Sequence, residues 1–307
     1  MKISTTYLYD RAVNQMTTGQ ANLAKSQAQL SSGKNVLRPS DAPEDAVGIQ
    51  RLKSVIGRQT SFEEVIETTS NRLKAEEIAL EGVSNLLVRL KELAIQASND
   101  TNGPKDREII AIEMQGLQED LLSLANTRDS NGAYLFSGSR VLTPAFERQA
   151  DGEIIYLGDE TVNLVEVGDQ RQLRANRTGT QVFERVVRTQ ADGSAVGVSF
   201  FQSVRDLVDS VRASDRELMN RGISELTDLS DGIALSIARV GSDVNVVEGQ
   251  RAVLEETKLQ LQTVLSSVED LDYNEAVTKM QKQVLALEAS QASFAQISRL
   301  SLFEYIR

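Results

Sequence analysis

The sequence contains no cysteine, no histidine and no tryptophan, only four prolines, and aromatic residues at 5%. Each shortage excludes something. Without cysteine there is no disulfide framework and no thiolate nucleophile or metal ligand. Without histidine there is no Ser-His-Asp or Cys-His system and no imidazole base, so any catalysis would fall to carboxylates, Lys, Ser or Tyr. Few prolines leave long stretches free to be helical, and few aromatics leave little to build a deep ligand pocket. Lys and Arg number 33 against 44 acidic residues, a formal charge of -11. That balance repels phosphate backbones and anionic membranes, so neither a nucleic-acid partner nor membrane insertion is expected. No apolar run approaches the roughly 20 residues that cross a bilayer. The first thirty residues lack the apolar core and cleavage site of a signal peptide, which on its own predicts a cytoplasmic protein.

What is present is heptad periodicity over a chain of 307 residues. One row runs Leu52, Ile66, Leu73, Leu80, Leu87, Ala94, and a second Val55, Phe62, Val83, Leu90, Ala97, interrupted by Gln59, Thr69 and Glu76. A 3.5-residue period sustained this long selects a long helix packed along other helices. Its start is marked by Asp41 as N-cap, Glu44 three residues on, and Pro43 in the first turn. The cluster Asn99 to Pro104 stops it. A second helix carries Ile109, Ile112, Leu117, Leu121 and Leu124 and ends at Asn126 to Gly132, followed by a short β-prone run, Tyr134 to Gly138.

From about Val141 to Ser199 the pattern changes: Asp151-Gly152 signals a hairpin, and Glu153 to Leu157 and Val162 to Val167 are strand-length runs. Helical periodicity then returns as Leu226, Ile233, Val240, Val247, Leu254, Leu261, Val268. Asp272 and Glu275 mark a last helix carrying Val277, Met280, Val284, Leu287, Phe294, Ile297, Leu300 and Phe303, matched at the other end by Met16, Leu23, Leu30 and Leu37.

These elements predict a mainly α fold, an elongated antiparallel long-helix bundle with a small β insert. The expected divisions are 1–40 plus 272–307 as a terminal helical assembly segment, 41–140 plus 200–271 as the bundle core, and 141–199 as a β-rich outer domain. The long-helix rows read as core. The terminal stripes are narrow and set in Ala, Gln and Ser, which leaves surface for neighbouring subunits. Leu23, Leu30, Val284, Leu287, Phe294, Ile297 and Leu300 are therefore the candidate partner-contact residues. Narrow seams bury little apolar area against the entropy of ordering, so these helices are expected to order on docking. The pairs Glu63-Glu64, Glu76-Glu77 and Glu255-Glu256 read as solvated faces, because adjacent helical residues point about 100° apart. No metal, nucleotide or other cofactor site is expected. Asp151-Gly152 lacks calcium-loop spacing and no Gly-rich loop leads into a lysine.

Three segments resemble the flagellin and hook-associated protein superfamily: Leu30 to Lys34 with Arg38 to Pro43, Asn131 to Ser139, and Leu271 to Ala276 through Ser298 to Ile306. The Pro-Ser-Asp-Ala-Pro turn and the Leu-Ser-Leu-Phe-Glu-Tyr-Ile ending are similar to its junction proteins more than to its filament subunits. The resemblance implies a non-enzymatic subunit between the first hook-associated protein and flagellin, self-associated in a ring. It also implies export through the flagellar type III apparatus to the cell exterior without signal cleavage, attended by a cytoplasmic export chaperone. That overrides the cytoplasmic expectation. A minor flagellin and a cytoplasmic coiled-coil adaptor are the alternative readings.

Overall fold

The structure is a computed structural model that describes residues 2–189 and 194–305, with side chains described for 7, 9–189 and 194–296. Seven helices and six strands are found among the described residues. The chain divides into two compact units, one of residues 1–59 with 256–307 and one of 60–255. Two helices contribute to both: α2 (Pro43–Ala97) and α6 (Arg216–Glu269).

The second unit holds the main core. Along α2 the predicted rows are inside from Ile66 onward: Ile66, Leu73, Leu80, Leu87 and Ala94, with Val83, Leu90 and Ala97, are each no more than 1% exposed, whereas Leu52, Val55 and Phe62 of the same rows are only half-buried. Leu226, Ile233, Val240, Val247 and Leu254 of α6 are buried in the same cluster. The polar interruptions of the α2 heptad are also buried. Thr69 satisfies its hydroxyl by donating to the Val65 carbonyl at 2.7 Å, and Glu76, 1% exposed, accepts from Arg177 at 3.1 Å. Glu76 is thus a paired core charge and not part of a solvated face; the distant Arg177, absent from any local pattern, is what permits its burial.

Helix α3 (Pro104–Ala125) starts on Pro104, which the sequence placed in the turn cluster, and the Asp106 carboxylate accepts from the Gly103 N–H at 3.0 Å. Its buried face is Ile110, Met114, Gln118, Leu121 and Ala125. Ile109 and Ile112, placed in the apolar stripe by sequence, are instead 67% and 59% exposed. Their row runs on into Gly116 and Glu119, whereas the Ile110 row continues through Met114, Leu121 and Ala125 to the helix end, with Gln118 its one polar member. Helix α5 (Phe200–Ala213) packs on α3 and is capped by Ser199, whose hydroxyl accepts from the Gln202 N–H.

The β-rich stretch forms three separate antiparallel hairpins: β1 (Phe146–Arg148) with β2 (Ile154–Tyr156), β3 (Leu164–Gly168) with β4 (Arg171–Arg174), and β5 (Val186–Thr189) with β6 (Ala195–Val198). A one-turn helix, α4 (Gly179–Val182), precedes the third. The first turns at Asp151-Gly152, where Gly152 has φ +83°. No hairpin has a sheet partner among the described residues, so their inward side chains pack on the helices: Phe146, Ile154, Val167, Val182, Phe183 and Val186 share one core with α2 and α6. Aromatic rings concentrate at this contact. Phe146 lies 5.0 Å from Phe201 and 5.2 Å from Phe183, and Phe183 lies 5.1 Å from Phe200.

The run Tyr134 to Gly138 forms no strand, only isolated bridges to Arg128 and Thr178. Two of its carbonyls are taken by a side chain: Arg72 of α2 donates to Tyr134 O at 3.1 Å and Leu135 O at 3.0 Å, and pairs with Asp129 at 2.8 Å. Gly138 then turns with φ +71°, where an added Cβ would meet Asp159.

The first unit is built differently. It comprises α1 (Lys2–Ser32), the start of α2, the end of α6 and α7 (Tyr273–Tyr305). Its only buried hydrophobic residues among those described are Ile49 and Ala276, both 8% exposed. Helix α2 starts at Pro43, and the Ala46 N–H donates to the Ala42 carbonyl. Ala42 therefore occupies the cap position predicted for Asp41, whose carboxylate pairs with Lys25 at 3.2 Å. Proline at the first helical position sets that boundary one residue later than the capping-box pattern suggests. Asp272 does cap α7: its carboxylate accepts from Asn274 N–H at 2.9 Å and Glu275 N–H at 3.2 Å.

Candidate functional site: the terminal seam and its joint

The candidate site is the seam between α1 and α7, which carries the stripes singled out in the sequence. The two helices run antiparallel. Gly33 faces Leu271, Gly19 faces Leu287, and Tyr9 meets Phe294 with ring centroids 5.0 Å apart, so α7 advances as α1 recedes. A Cβ on Gly19 would lie 3.5 Å from Leu287. Leu23, Leu30, Val284, Leu287 and Phe294 are all half-buried. The side chains of Ile297 and Leu300 lie outside the described residues. Leu287 and Phe294 meet α1 across the seam at Gly19 and Tyr9, and none of the five is sealed, in contrast to the enclosed rows of α2 from Ile66 onward. A pair of helices leaves each apolar stripe partly open, because closing it needs a third and fourth neighbour.

The seam is anchored at one end by a joint. The Leu271 N–H donates to the Gly33 carbonyl at 3.0 Å, and the Asn35 N–H to the Glu269 carbonyl at 2.8 Å, around a bridge between Lys34 and Asp270. Gly33 has φ +70°, and a Cβ there would lie 2.9 Å from the Tyr273 hydroxyl. Only glycine meets both conditions without cost. The Glu269 carboxylate, with 9% of its side chain exposed, accepts from Lys34 Nζ at 2.6 Å and Lys53 Nζ at 2.7 Å. It ties the ends of α1 and α6 to α2. The hydrogen bond from Lys34, followed by that from Lys53, holds the Glu269 carboxyl below its ordinary range, and Glu269 in turn raises Lys34.

The sequence singled out the stripe but missed Lys53 and Glu269. They are separated by 216 residues, and no local spacing connects them. The first of the three family-like segments, Leu30 to Lys34 with Arg38 to Pro43, does hold Gly33, Lys34 and Pro43.

In the second unit the notable polar group is the triad of Arg177 with Glu76 and Asp243. Burial pushes the Glu76 carboxyl up, opposed by Arg177. Asp159 is held well below the usual carboxylate range, first by the Ser139 hydroxyl and then by backbone N–H groups. No group of three metal-ligating side chains occurs among the described residues, and no described helix is long and apolar enough to cross a membrane.

Residues 3–141 match the family model for the bacterial flagellin N-terminal helical region. Over 320 aligned positions, covering 99% of each chain, the sequence is 27% identical to flagellar hook-associated protein 3 of Escherichia coli strain K12. The chain resembles flagellar hook-associated protein 3. Against the protein of that name from Salmonella typhimurium the identity is 25%, with both chains covered completely. The fold agrees: the crystal structure of flagellar hook-associated protein-3 from Legionella pneumophila superposes with a TM-score of 0.66 at 20% identity, over 72% of this chain and 98% of that one. The likeness to hook-associated protein 3 runs through the β hairpins as well as the helices, since the alignments with its E. coli and Salmonella representatives span the whole chain.

Proposed function

We propose that this chain is a structural subunit of the bacterial flagellum that joins the hook, through the first hook-associated protein, to the flagellin filament. The observation that carries the reading is full-length similarity to hook-associated protein 3, and the half-open seam between α1 and α7 supports it physically. Segments 1–40 and 272–307 carry the docking, and Leu23, Leu30, Val284, Leu287, Phe294, Ile297 and Leu300 share their exposed edges with neighbouring subunits. Copies of the chain associate in a ring. A cytoplasmic chaperone holds the C-terminal segment before export through the flagellar type III apparatus, without signal cleavage, to the cell exterior. The role is assembly and involves no catalysis.

Deleting residues 275–307 should release filaments from hooks and leave flagellin in the medium, while α2, α3 and α5 keep their helical signal. Filaments that stay attached would remove the ends from the assembly role. Ordering on docking predicts weak amide protection of α1 and α7 in the free chain, and strong protection there would refute it. The flagellin-like match over residues 3–141 keeps a filament-forming reading in play. Purified chain that elongates filament seeds would favour that reading over the junction.

A further inference from the structure

The first turns of α2 present a groove of about 760 Å³ lined by Pro39, Pro43, Val47, Arg51, Val55 and Arg58, among others. Its apolar floor is open, and Val47 is 62% exposed. Residues 43 to 58 at 1.5 Å per residue give a stripe about 22 Å long. A second uncovered stripe lies on α7 and runs through Val277, Gln281, Leu285 and Glu288; Leu285 is 68% exposed. Continued to Ala292 it has the same length.

The charges of the two stripes complement one another when the helices lie parallel. On α2 the acid, Glu44, comes first and the bases, Arg51 and Arg58, follow; on α7 Lys282 comes first and Glu288 follows. Glu44, Arg51, Lys282 and Glu288 are exposed and have no ion-pair partner among the described residues of their own chain. Setting Leu285 between Val47 and Arg51 brings Lys282 toward Glu44 and Glu288 between the two arginines. Antiparallel placement would bring like charges together.

We propose that this groove receives α7 of a second copy of the chain, with Leu285 as the apolar anchor and Glu288 against Arg51 and Arg58. The contact is heterologous, with groove on one copy and helix on the next, so every copy keeps a free groove and a free helix for a further neighbour. A ring follows where the rotation closes. This rests on the self-association included in the proposed function and names its surface.

The absence of cysteine makes the test clean. Cells expressing a Val47→Cys chain and a Leu285→Cys chain together should, when their isolated flagella are oxidised, give a disulfide-linked dimer that contains one of each. Neither variant expressed alone should give it, because each chain has a single thiol. Homodimers of either variant, linkage to a different protein, or no linkage would each overturn the proposal. A second measurement avoids thiols: Arg51→Glu should reduce the chain recovered on hooks about tenfold, and Glu288→Arg in the same chain should restore it. Failure to restore also overturns the proposal. Filaments attached normally in all variants with no cross-link would discard the groove and keep the junction role. Attachment that survives deletion of 275–307 would discard the junction role of the ends.

Discussion

Replacing Arg177 by alanine should destabilise the second unit far more than any surface substitution, and the effect should depend on pH. Arg177 has 11% of its side chain exposed and pairs with Glu76, 1% exposed, at 3.1 Å, while its other partner, Asp243, is 38% exposed. Asp243 can be rehydrated, so its share of the loss is small. Glu76 cannot: it sits between buried Leu73 and Leu80 on α2, and removing its cation strands a charge in the core, a change that costs about 3–5 kcal/mol. Urea unfolding followed by circular dichroism, with amide exchange on α2 to locate the change, would read this as a midpoint lowered by about 2 M. The pH dependence has a definite sign. Burial already raises the Glu76 carboxyl above its ordinary range, and loss of Arg177 raises it further. A raised acid binds its proton more tightly in the folded state, so the deficit of the variant grows as pH rises through that raised value and shrinks in acid. Glu76→Gln placed in the Arg177→Ala chain should recover most of the loss, and Glu76→Leu with Arg177→Met should be near neutral. A loss below about 1 kcal/mol, a loss equal in acid and at neutrality, or no recovery from Glu76→Gln would refute the assignment of Glu76 as a buried charge dependent on Arg177.

The main core was legible because heptad rows are a local signal. A seven-residue apolar spacing needs no knowledge of the partner; Ile66, Leu73, Leu80 and Leu87 announce a buried face whatever packs on it. The same logic failed for Ile109 and Ile112, where two rows competed on one short helix and only the packing partner could choose between them. It failed again for Glu76. Periodicity marks the position as inside, and residue type marks it as outside; Arg177, which resolves the conflict, lies 101 residues away. The hairpins show a third limit. Their strands could be read from composition, but that Phe146 and Phe183 would close over Phe200 and Phe201 could not, because short strands and scattered rings carry no spacing relation. At the candidate site the stripe was readable for the same reason as the core rows. The joint was readable only in part: Gly33 and Pro43 mark a turn, whereas Glu269, which fixes it, is charged in an ordinary helical setting and gains its role from two lysines brought to it by the fold.

Other outcomes follow from the same geometry. Phe183→Ala should cost about 3–5 kcal/mol in unfolding of the second unit, since the ring touches four others and its removal leaves a cavity that deprives each of them of contacts; a loss under about 1 kcal/mol would mean that the hairpins fold without it. Gly33→Ala should weaken the joint, because φ +70° strains any Cβ and the Tyr273 hydroxyl lies 2.9 Å from it. Tyr273→Phe should relieve the clash and leave the strain of about 1 kcal/mol, so partial rescue separates the two causes. The joint should also respond to acid, in the sense opposite to Glu76. Glu269 is held below the ordinary carboxylate range by the hydrogen bonds from Lys34 and Lys53. A depressed carboxyl binds its proton less well in the folded state, so its stabilisation is complete above the ordinary range and is lost as pH falls through the lowered one. Amide exchange across an acid titration should therefore show the Asn35 and Leu271 N–H groups, which close the joint, losing protection as the pH drops through the lowered range. Glu269→Gln should abolish this dependence and leave those amides equally weak at every pH. The core amides of α2 around Glu76 should not lose protection over the same window, because protonation there relieves a buried charge. Parallel loss in both places would show a single global acid transition and would refute separate titration of the joint.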